Sequence, residues 1–429
     1  MKFEPFALRY RSVPVCADPS IPQGERGKVK ASRGLINKRY MTTQKQTNIS
    51  ISTHFDSGAI EVVSLANPQD IQLNIRTDQG VNGAAEFAQW FHFRLQGAAG
   101  VPVKLRFLNA AQCAYPKGWE GYRVVASYDR QLWFRIDTAF DGQVMTATIT
   151  PDTNSIYFAY FEPYSYERHL DLLGSAAESE HVQSEFMGHT IDGRDMNVLH
   201  ITDASSTVQH KKNIWLIARQ HPGETMAEWF VEGFLERLLD VDDPVSRVLL
   251  AKCVFHVVPN MNPDGAVRGN LRTNAAGANL NREWQTPTME RSPEVFLVRQ
   301  SMLGTGVDLC LDAHGDEGLP YNFVAGSEGN PGYTAKIEQL ENTFKAAWLA
   351  TSPDFQTEQG YGKTAKGTAN QTMATNWIAQ QFGCLAFTIE MPFKDNANLP
   401  EAGVGWSGER SKKLGAGVLL PILSVVNEL

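Results

Sequence analysis

Between residue 50 and about residue 170, apolar and polar positions alternate in short runs. The runs are Ile60–Leu65, Ile71–Ile75, Ala88–Leu95, Val101–Leu108, Tyr122–Ser127, Leu132–Asp137, Val144–Ile149 and Ile156–Tyr160. Asn67-Pro68, Asp78-Gln79-Gly80, Asp141-Gly142 and Pro151-Asp152 punctuate them. Short alternating runs between turn residues predict antiparallel strands, and this many at this spacing predict a β-sandwich. Trp90-Phe91-His92-Phe93-Arg94 reads as a two-faced strand, apolar and polar in turn.

From about residue 175 the pattern changes. Asn213–Arg219, Cys253–Pro259, Val307–Ala313 and Cys384–Ile389 are mostly apolar and read as buried strands. Ala227–Asp240, Pro293–Leu303, Ala335–Ala350 and Thr372–Gln381 carry helical spacing. In the first of these helices Phe230, Phe234, Leu235 and Leu238 share one face. Strands apolar on both faces, alternating with helices, predict an α/β domain with a largely parallel sheet. The longest apolar stretch, Leu414 to Val426, is broken by Pro421 and too short to cross a membrane. It reads as a C-terminal core helix or a buried segment.

Composition narrows the class. The chain has 429 residues, 42% hydrophobic and 20% charged, which fits a folded chain of two domains. A net charge of −8 argues against nucleic acid as a partner. Cys16, Cys113, Cys253, Cys310 and Cys384 lie far apart, which fits free thiols in a reducing, cytoplasmic compartment. Residues 1–40 hold nine Lys/Arg against three Asp/Glu but no apolar core of a secretory signal. The layout is therefore a basic leader over residues 1–45, a β-sandwich over 46–172 and an α/β domain over 173–429. Oligomeric state is not legible.

Polar residues gather where the buried strands end. The four ends read Arg219-Gln220-His221-Pro222-Gly223-Glu224, Pro259-Asn260-Met261-Asn262-Pro263-Asp264-Gly265, Asp312-Ala313-His314-Gly315-Asp316 and Thr388-Ile389-Glu390-Met391-Pro392. Open α/β sheets bind ligands outside the carboxyl ends of their strands. His221 and Glu224 flank a Pro-Gly turn, so both can face one point, and His314 can supply a third donor from another strand. Two His and one carboxylate leave a fourth tetrahedral position for water, the donor set of catalytic zinc. Taken alone, the pair reads rather as a carboxylate favoured by the helix dipole beside a solvated loop histidine.

Further motifs decide between these readings. Asn262-Pro263-Asp264-Gly265, Gly269-Asn270-Leu271-Arg272 and Gly277-Ala278-Asn279-Leu280-Asn281-Arg282-Glu283-Trp284 follow in order. With His221-Pro222-Gly223-Glu224, the His314 strand end and the late Glu390, this run resembles zinc carboxypeptidases of the carboxypeptidase A type, in their cytosolic carboxypeptidase-like branch. The resemblance spans about 170 residues of the α/β domain. It extends more softly to Trp90–Arg94 and to the aromatic segment Ile156–Tyr166. It implies a carboxypeptidase-like, mostly parallel mixed sheet flanked by helices, preceded by an antiparallel β-sandwich.

The resemblance also implies roles. His221, Glu224 and His314 would hold one Zn²⁺. Glu390 would be the general base, in apolar company unusual for a solvated charge. Arg272 would stabilise the oxyanion, with Arg268 as a nearby competitor. Asn281 and Arg282 would bind the substrate's terminal carboxylate, a task that suits the guanidinium fork. Tyr361 is the candidate for the family's mobile tyrosine. Asp312 could orient a ligand, whereas Cys310 reads as a small core residue. The substrate would be a peptide or protein C-terminus, joined by a peptide or isopeptide-like glutamyl bond. Lys363 and Lys366 lie ahead of Glu390 with no carboxylate among them, so an acidic C-terminal residue is expected, with Lys366 as its partner. Two alternatives stay open: an amidase or deacylase on the same scaffold, and a binding module with a decayed site.

Overall fold

The computed structural model describes residues 48–429, so the leader at 1–45 lies outside the described residues. The β-rich half runs β1 (Ser50–Ser52), β2 (Glu61–Ser64), β3 (Ile71–Asn74), β4 (Gln79–Gly80), β5 (Gly83–Ala84), β6 (His92–Gln96), β7 (Val103–Phe107), β8 (Val125–Ser127), β9 (Phe134–Arg135), β10 (Asp137–Phe140), β11 (Met145–Ile149) and β12 (Ser155–Ala159). One five-stranded sheet has the order β1-β6-β12-β8-β9, and the other β10-β11-β7-β3-β2. Alternate residues face inward: Val103, Leu105 and Phe107 of β7 are buried, as are Phe93 and Leu95 of β6. The sheets meet where Phe107 packs on Phe91 and Phe93, with ring centroids 4.8 and 6.4 Å apart.

The pairing is antiparallel with one exception. β3 and β7 run parallel, because the long excursion through β4 to β6 returns the chain in the same direction. The two-faced reading of Trp90–Arg94 also needs correction, since Trp90, Phe91, His92 and Phe93 are all buried. The segment around Phe55 and Ser57 covers the face that was expected to be polar. His92 accordingly bonds Ser57 Oγ through Nδ1 at 2.9 Å, and burial pushes its pKa down to about 3.

Helix α1 (Tyr166–Ala177) leads into a hairpin, β13 (Val182–His189) and β14 (Asp195–Ile201). This hairpin leaves no trace in the apolar pattern, because β13 is largely exposed and has no continuous apolar face. Then follow β15 (Lys212–Ala218), α2 (Met226–Leu238), α3 (Pro244–Lys252), β16 (Cys253–Val258), α4 (Pro263–Arg268), α5 (Pro293–Thr305), β17 (Leu309–Asp316), β18 (Phe323–Ala325), α6 (Ala335–Thr351), α7 (Ala374–Phe382), β19 (Leu385–Pro392), α8 (Gly408–Gly417) and α9 (Leu419–Val425). Pro421 falls in the first turn of α9, where a missing N–H breaks no helical hydrogen bond.

The large sheet has the order β13-β14-β16-β15-β17-β19-β18. Its centre, β16-β15-β17-β19, is parallel, and the flanking strands are antiparallel. Ile214, Leu216 and Ala218 join the core that contains α2, while Trp215 and Ile217 join the core that contains α5 and α7. Burial on both faces explains why residues 214–218 of β15 form an unbroken apolar run. Successive crossovers leave β15 on opposite sides, to β16 and then to β17, and so create a switch point at the carboxyl edge.

The two halves share one core. The ring of Phe393, just past β19, stacks on Tyr160 at 4.4 Å, and its carbonyl accepts from Arg135 Nη2 at 2.9 Å. Phe393→Ala is expected to destabilise the protein by about 3–5 kcal/mol, the usual cost of emptying a buried Phe site. Denaturant unfolding measures it, and an unchanged midpoint would show that the interface closes around the gap.

Candidate active site

The turn after β15 is held from behind. Arg219 has a positive φ of 59°, uncommon for a residue with a Cβ. Its Nε donates to Pro222 O at 2.9 Å, and its Nη1 donates to Tyr164 O at 2.9 Å and to Glu228 Oε2 at 2.6 Å. These bonds bend the chain so that His221 and Glu224 stand at the carboxyl edge of the sheet. Asn262 braces the same turn, donating from Nδ2 to Gln220 O at 2.9 Å and accepting from Gly265 N at 3.0 Å. A Cβ on Gly265 would lie 2.5 Å from Thr273 O, so this position needs glycine. The Asn262–Gly265 motif is thus scaffold for the turn.

His221, Glu224 and His314 offer ligand atoms that all lie within 4.8 Å of one another, and all three residues are buried. His221 Nδ1 is 2.7 Å from Glu224 Oε1, and His314 Nδ1 is 2.8 Å from Glu224 Oε2. The outer ring nitrogens are engaged too. His221 Nε2 is 3.1 Å from Asn279 Oδ1, and His314 Nε2 is 3.0 Å from Asp312 Oδ2. An oxygen acceptor on Nε2 fixes the proton there and turns the Nδ1 lone pair inward, the arrangement of a metal-binding imidazole. Gln220 Nε2 in turn donates to Asp312 at 2.7 Å.

The electrostatics ask for a cation at this point. Burial lowers the His221 pKa to about 4, helped by Arg272, so its imidazole is neutral. Burial also opposes charge on His314, but Asp312 and Glu224 outweigh it and raise its pKa. Burial would raise Glu224, yet the two imidazoles hold it below the usual carboxylate range. A divalent cation would meet this demand for positive charge, and the donor set fits zinc.

Glu390 sits beside these ligands because β17 and β19 pair in register, with His314 opposite Glu390. Its Oε1 lies 2.9 Å from Tyr361 OH, while its Oε2 is buried without a hydrogen-bond partner. Burial raises its pKa well above the usual value; His314 opposes the shift, and Glu224 and Asp316 add to it. Tyr361 OH also lies 2.7 Å from Asp316 Oδ2. A phenol has one proton, so it can donate fully to only one of these two carboxyl groups at a time.

Arg272 reaches the site, with Nη1 3.9 Å from Glu224 Oε1. Arg268 does not, because it pairs with Asp192 at 2.7 and 2.8 Å. Asn281 and Arg282 line the same cavity of about 1060 Å³, as do Tyr361 and Lys363. The N–H of Ala374 holds Asn281 Oδ1 at 2.8 Å and leaves the amide nitrogen for a ligand. Lys366 is a correction: it does not line the cavity, and its ammonium donates to Tyr333 O at 3.0 Å. Glu317 and Tyr115 are among the lining residues that escaped the sequence reading. Glu317 lies one residue beyond the strand end as quoted and carries a buried, unpartnered Oε1. Tyr115 comes from the β-rich half and carries no local signal.

The sequence model of the zinc carboxypeptidase family matches residues 167–406, more than half of the chain. The chain belongs to the zinc carboxypeptidase family. Residues 51–161 match the cytosolic carboxypeptidase N-terminal domain. The metallo-carboxypeptidase of Burkholderia cenocepacia is 52% identical, with a TM-score of 0.86 over 89% of this chain and 100% of that one. The metallo-carboxypeptidase of Pseudomonas aeruginosa, solved with (2-guanidinoethylmercapto)succinic acid, is 47% identical, with a TM-score of 0.85 over 88% and 99%. Mouse cytosolic carboxypeptidase 1 is 29% identical over 303 residues, 61% of this chain and 24% of the mouse protein. The chain thus spans about a quarter of that relative. As a zinc carboxypeptidase, this protein is a zinc-dependent peptide hydrolase that acts at C-termini.

Proposed function

We propose that His221, Glu224 and His314 hold the zinc, and that the neighbouring side chains divide the hydrolysis among them. Bound zinc supplies polarisation of the scissile carbonyl and a water of lowered pKa. The observation that carries the reading is Glu390 Oε2, a buried and unpartnered oxygen on the strand position paired with His314. This oxygen takes the proton of the attacking water and then delivers it to the leaving amine. Burial, which raises its pKa, makes this carboxylate a stronger base than a solvated one. Arg272 stabilises the developing oxyanion from one side. Asn281 and Arg282 hold the terminal carboxylate, which makes the enzyme an exopeptidase. Tyr361 donates to Glu390 or to substrate as its loop moves.

We further infer a preference for acidic C-terminal residues. Lys363 lines the cavity, as do Thr375 and Thr388, whose hydroxyls lie 2.7 Å apart and make a polar surface unsuited to Phe. A second reading, a cationic side chain, is favoured by Glu328, Glu338 and Glu358 on the same lining. The guanidino compound bound to the Pseudomonas aeruginosa relative agrees with it. A cytoplasmic site of action fits the name of the mouse relative and the free, buried Cys113, Cys253, Cys310 and Cys384.

A panel of peptides ending in Glu, Asp, Lys, Arg or Phe, with amidated and γ-linked glutamyl versions, tests these readings. Glu-ended peptides should be cleaved best and amidated ones resisted. Lys363→Glu should lower kcat/KM for Glu-ended peptides by about tenfold, since it replaces attraction with repulsion. Preferred cleavage of Lys or Arg would establish the second reading. Equal cleavage of amidated peptides would favour the amidase alternative.

A further inference from the structure

Arg272 belongs to the α/β half, yet most of what fixes it comes from the β-rich half. Asp78 is buried, 2% exposed, in the loop between β3 and β4. Its Oδ1 accepts from Leu271 N at 2.6 Å. Its Oδ2 accepts from Arg272 N at 2.9 Å, Thr273 N at 2.9 Å and Thr273 Oγ1 at 3.0 Å. Three successive backbone N–H groups therefore converge on one carboxylate, which sets the backbone of Arg272 on both sides.

Asp78 is itself held. Its N–H donates to Phe87 O at 2.7 Å, and its carbonyl accepts from Ala85 N at 2.7 Å. The surrounding chain repeats the clamp. Gln79 N donates to Asn270 Oδ1 at 2.8 Å, Asn270 Nδ2 donates to Gln79 O at 3.1 Å, and Val81 N donates to Ala275 O at 2.7 Å. The guanidinium is directed as well. Its carbon lies 5.7 Å from the Phe87 ring centroid and 5.5 Å from that of Tyr115, within cation–π range of both. Tyr115 also lines the cavity.

We propose that the β-sandwich is a working part of the active site, with Asp78 as the positioning residue that fixes Arg272 and with Phe87 and Tyr115 as the wall that directs its guanidinium. The proposal rests on the assignment of Arg272 to the oxyanion. Asparagine at 78 would keep the shape but turn an amide NH₂ toward N–H donors, so the Arg272 backbone would shift. A displacement of about 1 Å at a reacting centre can cost on the order of 10²-fold in rate. Uniform binding of substrate through Asn281 and Arg282 would be untouched.

The test compares Asp78→Asn, Phe87→Leu, Arg272→Ala and the two double variants, each in the zinc form. Zinc content, melting temperature, kcat and KM are measured for each. Asp78→Asn is expected to lower kcat by about 10–10²-fold with full zinc and KM within a few-fold. Phe87→Leu should lower it in the same sense by less. In the Arg272→Ala background both changes should cost almost nothing further, because a group that acts through Arg272 has nothing left to position. Equal losses in both backgrounds would make Asp78 merely structural and overturn the proposal. If Asp78→Asn does not fold, Phe87→Leu decides by the same criterion. Wild-type kcat in Arg272→Ala itself would instead overturn the role given to Arg272, a distinguishable failure.

Discussion

Replacing His314 by alanine is expected to abolish zinc binding and peptidase activity together. His314 Nδ1 is one of three converging donors, and its loss leaves one imidazole and one carboxylate. Two protein ligands are fewer than catalytic zinc sites use. The same change would leave Glu224 buried with less compensation, since His221 and His314 are the groups that favour its charge. The melting temperature should therefore fall, and added zinc should not restore it. Asp312→Ala, which removes the acceptor shared by His314 Nε2 and Gln220 Nε2 but none of the three donors, should weaken zinc by about 10–100-fold and be rescued by excess metal. Metal analysis and peptide hydrolysis read both variants. Full activity in a metal-free preparation would refute the assignment of the three ligands.

Glu390→Gln is expected to keep zinc and fold but lose turnover by at least about 10²–10⁴-fold, the contribution of a positioned acid–base group. An amide can neither take a proton from water at neutral pH nor return one. Its effect on stability has the opposite sign. Burial raises the Glu390 pKa above its unfolded value, so the folded metal-free protein binds the extra proton. The stability this contributes is fully present below the unfolded pKa and is lost as pH rises toward the folded one. At neutral pH the neutral amide escapes that loss. The metal-free Gln variant should therefore melt at or above the wild-type temperature, and the gap should widen as pH rises above the unfolded pKa of a glutamate. Turnover within a few-fold of wild type would assign the base elsewhere.

Much of the site is local chemistry and could be read without coordinates. A metal needs lone pairs converging from a tight turn, and His221-Pro222-Gly223-Glu224 writes that turn into adjacent residues. A charged Glu390 amid Phe387, Ile389, Met391 and Phe393 is conspicuous in any apolar strand. The central strands were legible because burial on both faces forces an uninterrupted apolar run, as in β15. The β13–β14 hairpin was not legible, since an exposed strand leaves no such trace.

Tertiary structure decided what depends on segments distant in sequence. The register that sets His314 opposite Glu390 comes from packing β17 against β19, and neither strand encodes its neighbour. The parallel pairing of β3 and β7 follows from the path of an intervening excursion. Lys363 and Lys366 are equivalent as letters, but the fold aims one at the cavity and spends the other on Tyr333 O. Asp78, Phe87 and Tyr115 lie about 160 to 190 positions from Arg272 in sequence, and only the docking of one half on the other brings them to it. Residue type and turn chemistry act over a few positions, so sequence carries them directly. Which groups meet across a shared core is set by the packing of whole layers, and no short window of sequence contains it.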